Sequence, residues 1–282
     1  MSTTADDISR RELRRRKLMR RTGSVAFDIY ASVRLHPLWR ALAWEDLRQR
    51  YRRSTLGLAW MLISFLLMIV IFVLIFGRSS PSKTQAEYTL YLSSGLIVWN
   101  FLSGNVSKGV TVFGGNGPWI RSTPAPFTVL VLRNLYASML EAGLTFLVVI
   151  PIVFYCGVPS LPLLAVALFA LAIYVIASIP VGLLLGCIGA WSADFQQLVP
   201  AIMRIAFFAT PVFWDYDGRG GMRVQLAHYN PFTHFLEIFR SPLLGHYPTA
   251  TNWIVVLSLT AILWVLAILA FKFFRSRLAA WV

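Results

Sequence analysis

Between Asp46 and Gly77 the chain changes character once, and that change restricts what it can fold into. The segment DLRQRYRRSTLGLAW sets Arg48, Arg50, Arg52 and Arg53 beside Tyr51 and Ser54. No charge follows from Leu56 to Phe76. At about 1.5 Å per residue, that run is long enough to cross roughly 30 Å of hydrocarbon as a helix. Further apolar runs of similar length follow. The chain is 57% hydrophobic and 13% charged, where soluble domains carry about 25% charged residues. A closed membrane barrel would need alternating polarity, and these runs are continuous. The sequence therefore predicts an all-α integral membrane protein.

Charge is distributed unevenly. The net charge is +14, and fourteen of the 26 Lys and Arg residues fall in the first 53 positions. Such a bias fits the positive-inside rule and anionic lipid better than nucleic acid. Residues 1–24 are expected to be a basic cytoplasmic tail near lipid headgroups. No apolar run of signal-peptide length follows them, because Asp28 interrupts the candidate. Residues 25–55 are expected to be an amphipathic interface region, with Leu35, Leu38, Trp39 and Leu42 at helical spacing and arginines between them.

Residues 56–282 then form the transmembrane domain. Six spans are expected, at about 56–77, 88–113, 129–156, 163–190, 198–214 and 253–271, with both termini cytoplasmic. The second span is polar on one face, at Asn100, Ser103, Gly104, Ser107 and Thr111. That stripe can be a small-residue helix interface or a cavity lining. The segment at 114–127 reads as a cytoplasmic loop by its Gly and Pro content, with the cluster Trp119, Ile120 and Arg121 inside it. Gly182, Gly186 and Gly189 give the fourth span a packing face. Pro211 should end or kink the fifth. Asn230 and Pro231 open a short apolar helix before the last span, too short to cross, which reads as re-entrant or surface-lying. The outside loops, by this count, hold Arg78, Lys83, Arg219, Arg223 and Arg240.

Two intramembrane charges stand out, Glu141 in the third span and Arg204 in the fifth. A carboxylate at that depth is a candidate functional group. Its alternative is a structural one: a pair with Arg204, or a hydrogen bond to a neighbouring helix. No GxxxxGK[ST], GxSxG, HExxH or paired-cysteine pattern occurs, so the chain carries no P-loop, no catalytic motif and no metal motif of its own. Cys156 and Cys187 lie in apolar runs and read as packing residues.

Five segments in order resemble the permease subunits of type-2 ABC transporters that export polysaccharides such as O-antigen, capsule and teichoic acid. They are DLRQRYRRSTLGLAW at 46–60, YLSSGLIVWNF at 91–101, the loop at 116–126, DFQQLVPAIMRIAFFATPVFW at 194–214 and NPFTHFLEIFRSPLLG at 230–245. Members often carry a Pro shortly after the first Trp, where Ser64 and Phe65 stand here, so a straighter first helix is expected. The resemblance implies a transport subunit, not an enzyme, with no cofactor in this chain. ATP and Mg would sit on a separate ABC ATPase subunit, present in two copies beside a second copy of the permease. Membrane lipid and a lipid-linked polysaccharide complete the implied partners, nucleic acid is not among them, and the implied site is the bacterial plasma (inner) membrane.

The resemblance also implies residue roles. Gly117, Trp119, Ile120, Arg121 and Asp194 would contact the ATPase. Arg48, Arg50, Tyr51, Arg52 and Arg53 would receive a lipid pyrophosphate. Trp99, Asn100, Phe101, Phe207, Phe208, Phe213, Trp214 and Tyr216 would line a glycan path, since sugar CH faces stack on aromatic rings. Three other readings compete: a type-2 ABC permease for lipids or drugs, an integral-membrane glycan-processing enzyme, and a secondary transporter. The last usually shows an internal repeat, and none is visible.

Overall fold

The computed structural model describes residues 25–52, 54–77, 83–123, 125–216 and 221–281. The basic segment 1–24 and Arg53 lie outside the described residues. All regular structure among them is helical. Two helices precede the membrane, α1 (Val25–Arg34) and α2 (His36–Arg50). Pro37, in the first turn of α2, separates them, because its ring fits a first turn and not a helix interior. Then follow α3 (Ala59–Phe76), α4 (Gln85–Thr111), α5 (Gly117–Ser122), α6 (Thr128–Cys156), α7 (Leu161–Trp191), α8 (Ala193–Ala209), α9 (Met222–Tyr229), α10 (Pro231–Leu243) and α11 (Ala250–Trp281).

Four of these are long and apolar enough to cross a membrane: α3, α6, α7 and residues 250–275 of α11. The other two expected spans differ from them for separate reasons. Helix α8 has 17 residues, at the lower limit of what crosses a bilayer. Helix α4 has 27 residues, but its polar stripe lowers its hydropathy. It is instead the central helix, buried without interruption from Leu90 to Trp99 and packed against α6, α7, α8 and α10. Thr84 caps its start, accepting from the Glu87 amide while the Glu87 carboxylate accepts from the Thr84 amide.

The expected packing face of α7 is present. Gly182 lies against Val131, Gly186 against Val112 and Phe113, and Gly189 against the backbone of Val110. A Cβ at Gly189 would stand 1.8 Å from the Val110 carbonyl oxygen, so the α4 and α7 backbones touch there. Gly189→Ala is expected to lower stability by about 1–3 kcal/mol, the usual cost of overpacking, read as an earlier thermal transition of the purified protein.

The C-terminal end of α8 breaks as Pro211 requires, leaving the carbonyls of 211–214 without helical partners. Tyr88 donates to the Phe213 carbonyl, and Tyr91 donates to those of Pro211 and Trp214 at 3.0 and 2.9 Å. Arg240 of α10 donates to Pro211 and Val212 at 2.8 and 3.3 Å. Its guanidinium lies 3.8 Å from the Tyr91 ring centroid and reaches the Glu237 carboxylate. The count of Arg240 among outside-loop charges is corrected by its position: the side chain is fully buried, and Gly95 leaves the space it occupies. Asn230 caps α10 as expected, accepting from the Phe232 amide with Pro231 in the first turn.

At the opposite end, Asp28 of α1 is buried. Its carboxylate accepts from the Thr128 amide at 3.1 Å, from the Thr128 hydroxyl at 2.7 Å and from Arg275 of α11 at 3.1 Å. Thr128 is the first residue of α6, so Asp28 supplies an acceptor to a helix start on which it does not itself lie.

Candidate functional site

The basic end of α2 meets the start of α3 through a corner at Gly57, whose φ of +52° favours glycine. Behind that corner is a cleft of about 600 Å³, lined by Trp44, Arg48, Tyr51, Arg52 and Leu58 among others. Arg48 and Arg52 are exposed and Tyr51 is half-buried. Glu45 also borders the cleft and accepts a hydrogen bond from Gln49 at 3.0 Å. Two planar guanidinium groups, a phenol and an indole can grip a phosphate-bearing headgroup and pack its chain.

Arg50 does not line this cleft. Its Nη1 donates to Glu141 Oε1 at 2.7 Å, while Lys108 Nζ donates to Glu141 Oε2 at 2.7 Å. The expected alternative of a Glu141–Arg204 pair is corrected: the carboxylate sits between cations from α2 and α4, and Arg204 is exposed on α8. Glu141 is well along α6, yet level with the end of α2 and the last turn of α4. The first turns of α6 run beside α2, as the Trp39–Tyr136 edge contact at 5.4 Å marks.

Two turns nearer the start of α6, Arg133 forms a bidentate pair with Asp46 of α2. Its remaining Nη1 donates to Asn116 Oδ1 at 3.3 Å. Asn116 closes the short turn Gly114–Asn116 that leads into α5. Lys108, Arg133 and Asp46 were absent from the sequence-derived candidates. Lys108 lay beside the polar stripe of its own helix and could have been found there.

The segment expected to be a plain loop contains the helix α5, with Pro118 in its first turn. Gly117 is buried; Trp119 and Ile120 are half-buried against the cluster formed by Val25, Phe127, Phe271 and Leu278. Arg121 is exposed, and so is Asp194 in the first turn of α8. Those two are the members of the group most open to a partner protein.

The aromatic residues divide into two sets. Trp99 is buried and meets Phe207 at 5.8 Å and Phe232 at 5.4 Å. Phe207 and Phe213 pack on Phe72 of α3, and Phe101 packs on Tyr174. Trp99, Phe207 and Phe213 build the wall between α3, α4 and α8, while Phe101 faces α7. Asn100 and Phe208 are exposed, and Trp214 and Tyr216 are partly exposed. Along α4 the polar stripe from Asn100 to Thr111 is only partly covered by the chain's own helices, with open space beside Gly104.

Residues 37–244 match the model of the ABC-2 type transporter family. An O-antigen export system permease protein RfbA of Klebsiella pneumoniae is 26% identical over 242 residues, covering 83% of this chain and 91% of that protein. The RfbA of Myxococcus xanthus is 23% identical over 245 residues, 84% of this chain and 91% of the relative. The polysialic acid transport protein KpsM of Escherichia coli is 20% identical over 213 residues, 73% and 81% respectively. The matched stretch runs from the interface helix α2, through the basic cleft and the α5 segment, to the end of α10, and the chain belongs to the ABC-2 type transporter family.

Proposed function

We propose that the chain is the membrane subunit of an ATP-driven exporter that moves a lipid-linked polysaccharide, O-antigen-like in class, out of the cytoplasm across the bacterial inner membrane. The cleft at the end of α2 carries this reading. It places Arg48 and Arg52 beside Trp44 and Tyr51 at the foot of the first span, where a pyrophosphate headgroup and the first carbons of its lipid chain would arrive. Glycan transport by relatives across most of the chain's length supports the same substrate class.

In this reading α4 and α8 complete six spans, with both termini cytoplasmic. Two copies pair, each with an ATPase subunit seated on Arg121 and Asp194, because this chain contains no nucleotide-binding loop. The partly exposed polar stripe of α4, with Asn100, Phe208 and Trp214, faces the path between copies. Trp99, Phe207 and Phe213 hold that wall in shape, and Phe101 packs behind it on α7. Glycan hydroxyls find polar partners there and CH faces find rings.

Replacing both cleft arginines tests the reading. Arg48→Gln with Arg52→Gln is expected to weaken binding of undecaprenyl pyrophosphate in nanodiscs by roughly tenfold or more, since charge-assisted bonds to phosphate contribute about 1.5–3 kcal/mol each. Surface glycan should fall with it while the protein stays inserted. Unchanged probe binding and unchanged export would reject the cleft as the headgroup site.

A further inference from the structure

We propose that Arg133 is a positioning residue that mechanically joins the headgroup cleft to the ATPase-contacting segment, so that an occupied cleft is sensed by the ATPase. This rests on the readings of the cleft and of α5 given above, and adds how the two communicate.

The geometry is specific. Arg133 stands on α6 and binds in two directions at once. Its fork takes both oxygens of Asp46, which lies on α2 one turn before Arg50. Its third nitrogen takes Asn116, the last residue before α5. Asn116 is fixed in turn, donating to the Val112 carbonyl at the end of α4 at 2.9 Å. One planar group therefore touches the helix that carries the cleft and the turn that carries the ATPase contact.

A second connection runs in parallel. Arg50 and Lys108 share Glu141, which joins the cleft end of α2 to the last turn of α4. Asn134 on α6 donates to the Lys108 carbonyl at 3.3 Å. Helix α4 leads directly into the Gly114–Asn116 turn, so both routes converge on the same few residues.

The chemistry suits transmission. A bidentate Arg–carboxylate pair resists shear between the helices it joins, because both bonds are lost together. The pair is only partly exposed, with side chains at 20% and 34%, so solvent screens it less than a surface pair. A rotation of α2 when a headgroup fills the cleft would pull on Asp46, and through Arg133 on Asn116. By reciprocity, displacement of α5 by the ATPase would act on the cleft.

The test uses the full chain with its ATPase subunit in nanodiscs, and undecaprenyl pyrophosphate as the probe. Four quantities are read: ATPase copurified, basal hydrolysis, probe binding and stimulation of hydrolysis by probe. Arg133→Asp and Asp46→Arg alone are expected to keep the first three and lose stimulation by at least about fivefold, the low end of ordinary coupling factors. Asp46→Arg combined with Arg133→Asp restores the pair in reverse and should recover most of the stimulation. Asn116→Ala, which leaves the Asp46 pair intact, should lose stimulation as well. It covers the case in which a charge reversal prevents folding.

Single variants stimulated like the wild type would overturn the proposal. A reversed pair as defective as its parents would also overturn it, because the bridge would then matter only as packing. The underlying readings fail differently. Inorganic pyrophosphate or phosphatidylglycerol stimulating as well as the probe, or a wild-type complex that the probe does not stimulate, removes the lipid-headgroup reading and this proposal with it. Loss of probe binding on Arg48→Gln/Arg52→Gln with normal stimulation in Arg133→Asp leaves the cleft standing and removes the bridge alone.

Discussion

Arg240→Met is expected to destabilise the protein by roughly 3–5 kcal/mol, the range for breaking a buried ion pair by removing one partner. The substitution keeps most of the side chain's volume, so a cavity contributes little. What it removes is polar. Val212 loses its donor, Pro211 keeps only the Tyr91 hydroxyl, and the Glu237 carboxylate loses its cation. Those carbonyls belong to the unwound end of α8 and have no helical partner to return to. Each unsatisfied buried acceptor costs about 1–3 kcal/mol, and total stabilities are only about 5–15 kcal/mol. Arg240→Lys should fall between the two, because one ammonium cannot serve both carbonyls and the carboxylate in a planar fork. Thermal unfolding of the solubilised protein, followed by size-exclusion peak height, reads the series. An Arg240→Met protein melting with the wild type would mean that the Tyr88 and Tyr91 bonds alone hold the corner.

Asp28→Ala should have the next largest effect, at the other end of the molecule, at roughly 2–4 kcal/mol from a lost buried charge-assisted network. Asp28 is 1% exposed. Removing its carboxylate leaves the buried Thr128 amide without an acceptor and Arg275 without this carboxylate, and it unties α1 from the ends of α6 and α11 at once. Limited trypsin digestion gives a local readout. Cleavage at Arg34 should become fast in the variant while the membrane core stays intact. Equal digestion of both proteins would show that the apolar contacts of Val25 hold α1 unaided.

Much of this architecture was written in the sequence as long, predominantly apolar runs. Helices α3, α6, α7 and α11 follow from them, and Asn230–Pro231 marked the start of α10. Where the reading failed, the failure was one of partnership. The helical period of α6 put Glu141 on a polar face but could not say what faced it. Its partners are 91 and 33 residues away, on helices whose own patterns gave no hint of the pairing. Arg240 was counted with the outside charges although its segment read as a helix, and that helix is folded into the core. The aromatic residues were legible as a cluster in composition only; no periodicity separates Trp99, which packs inward, from Phe208, which does not. The Gly114–Phe127 segment was read as a loop from its glycines and prolines. Pro118 in a first turn was the signal for a short helix, since proline is favoured at that position.

The account stands or falls on coupling to a separate motor, and copurification from the native operon tests that most directly. A tagged chain extracted gently is expected to bring a stoichiometric ATPase subunit whose hydrolysis rises with lipid-linked glycan. A chain that purifies alone and modifies glycan without ATP would contradict the exporter and make the protein a membrane enzyme.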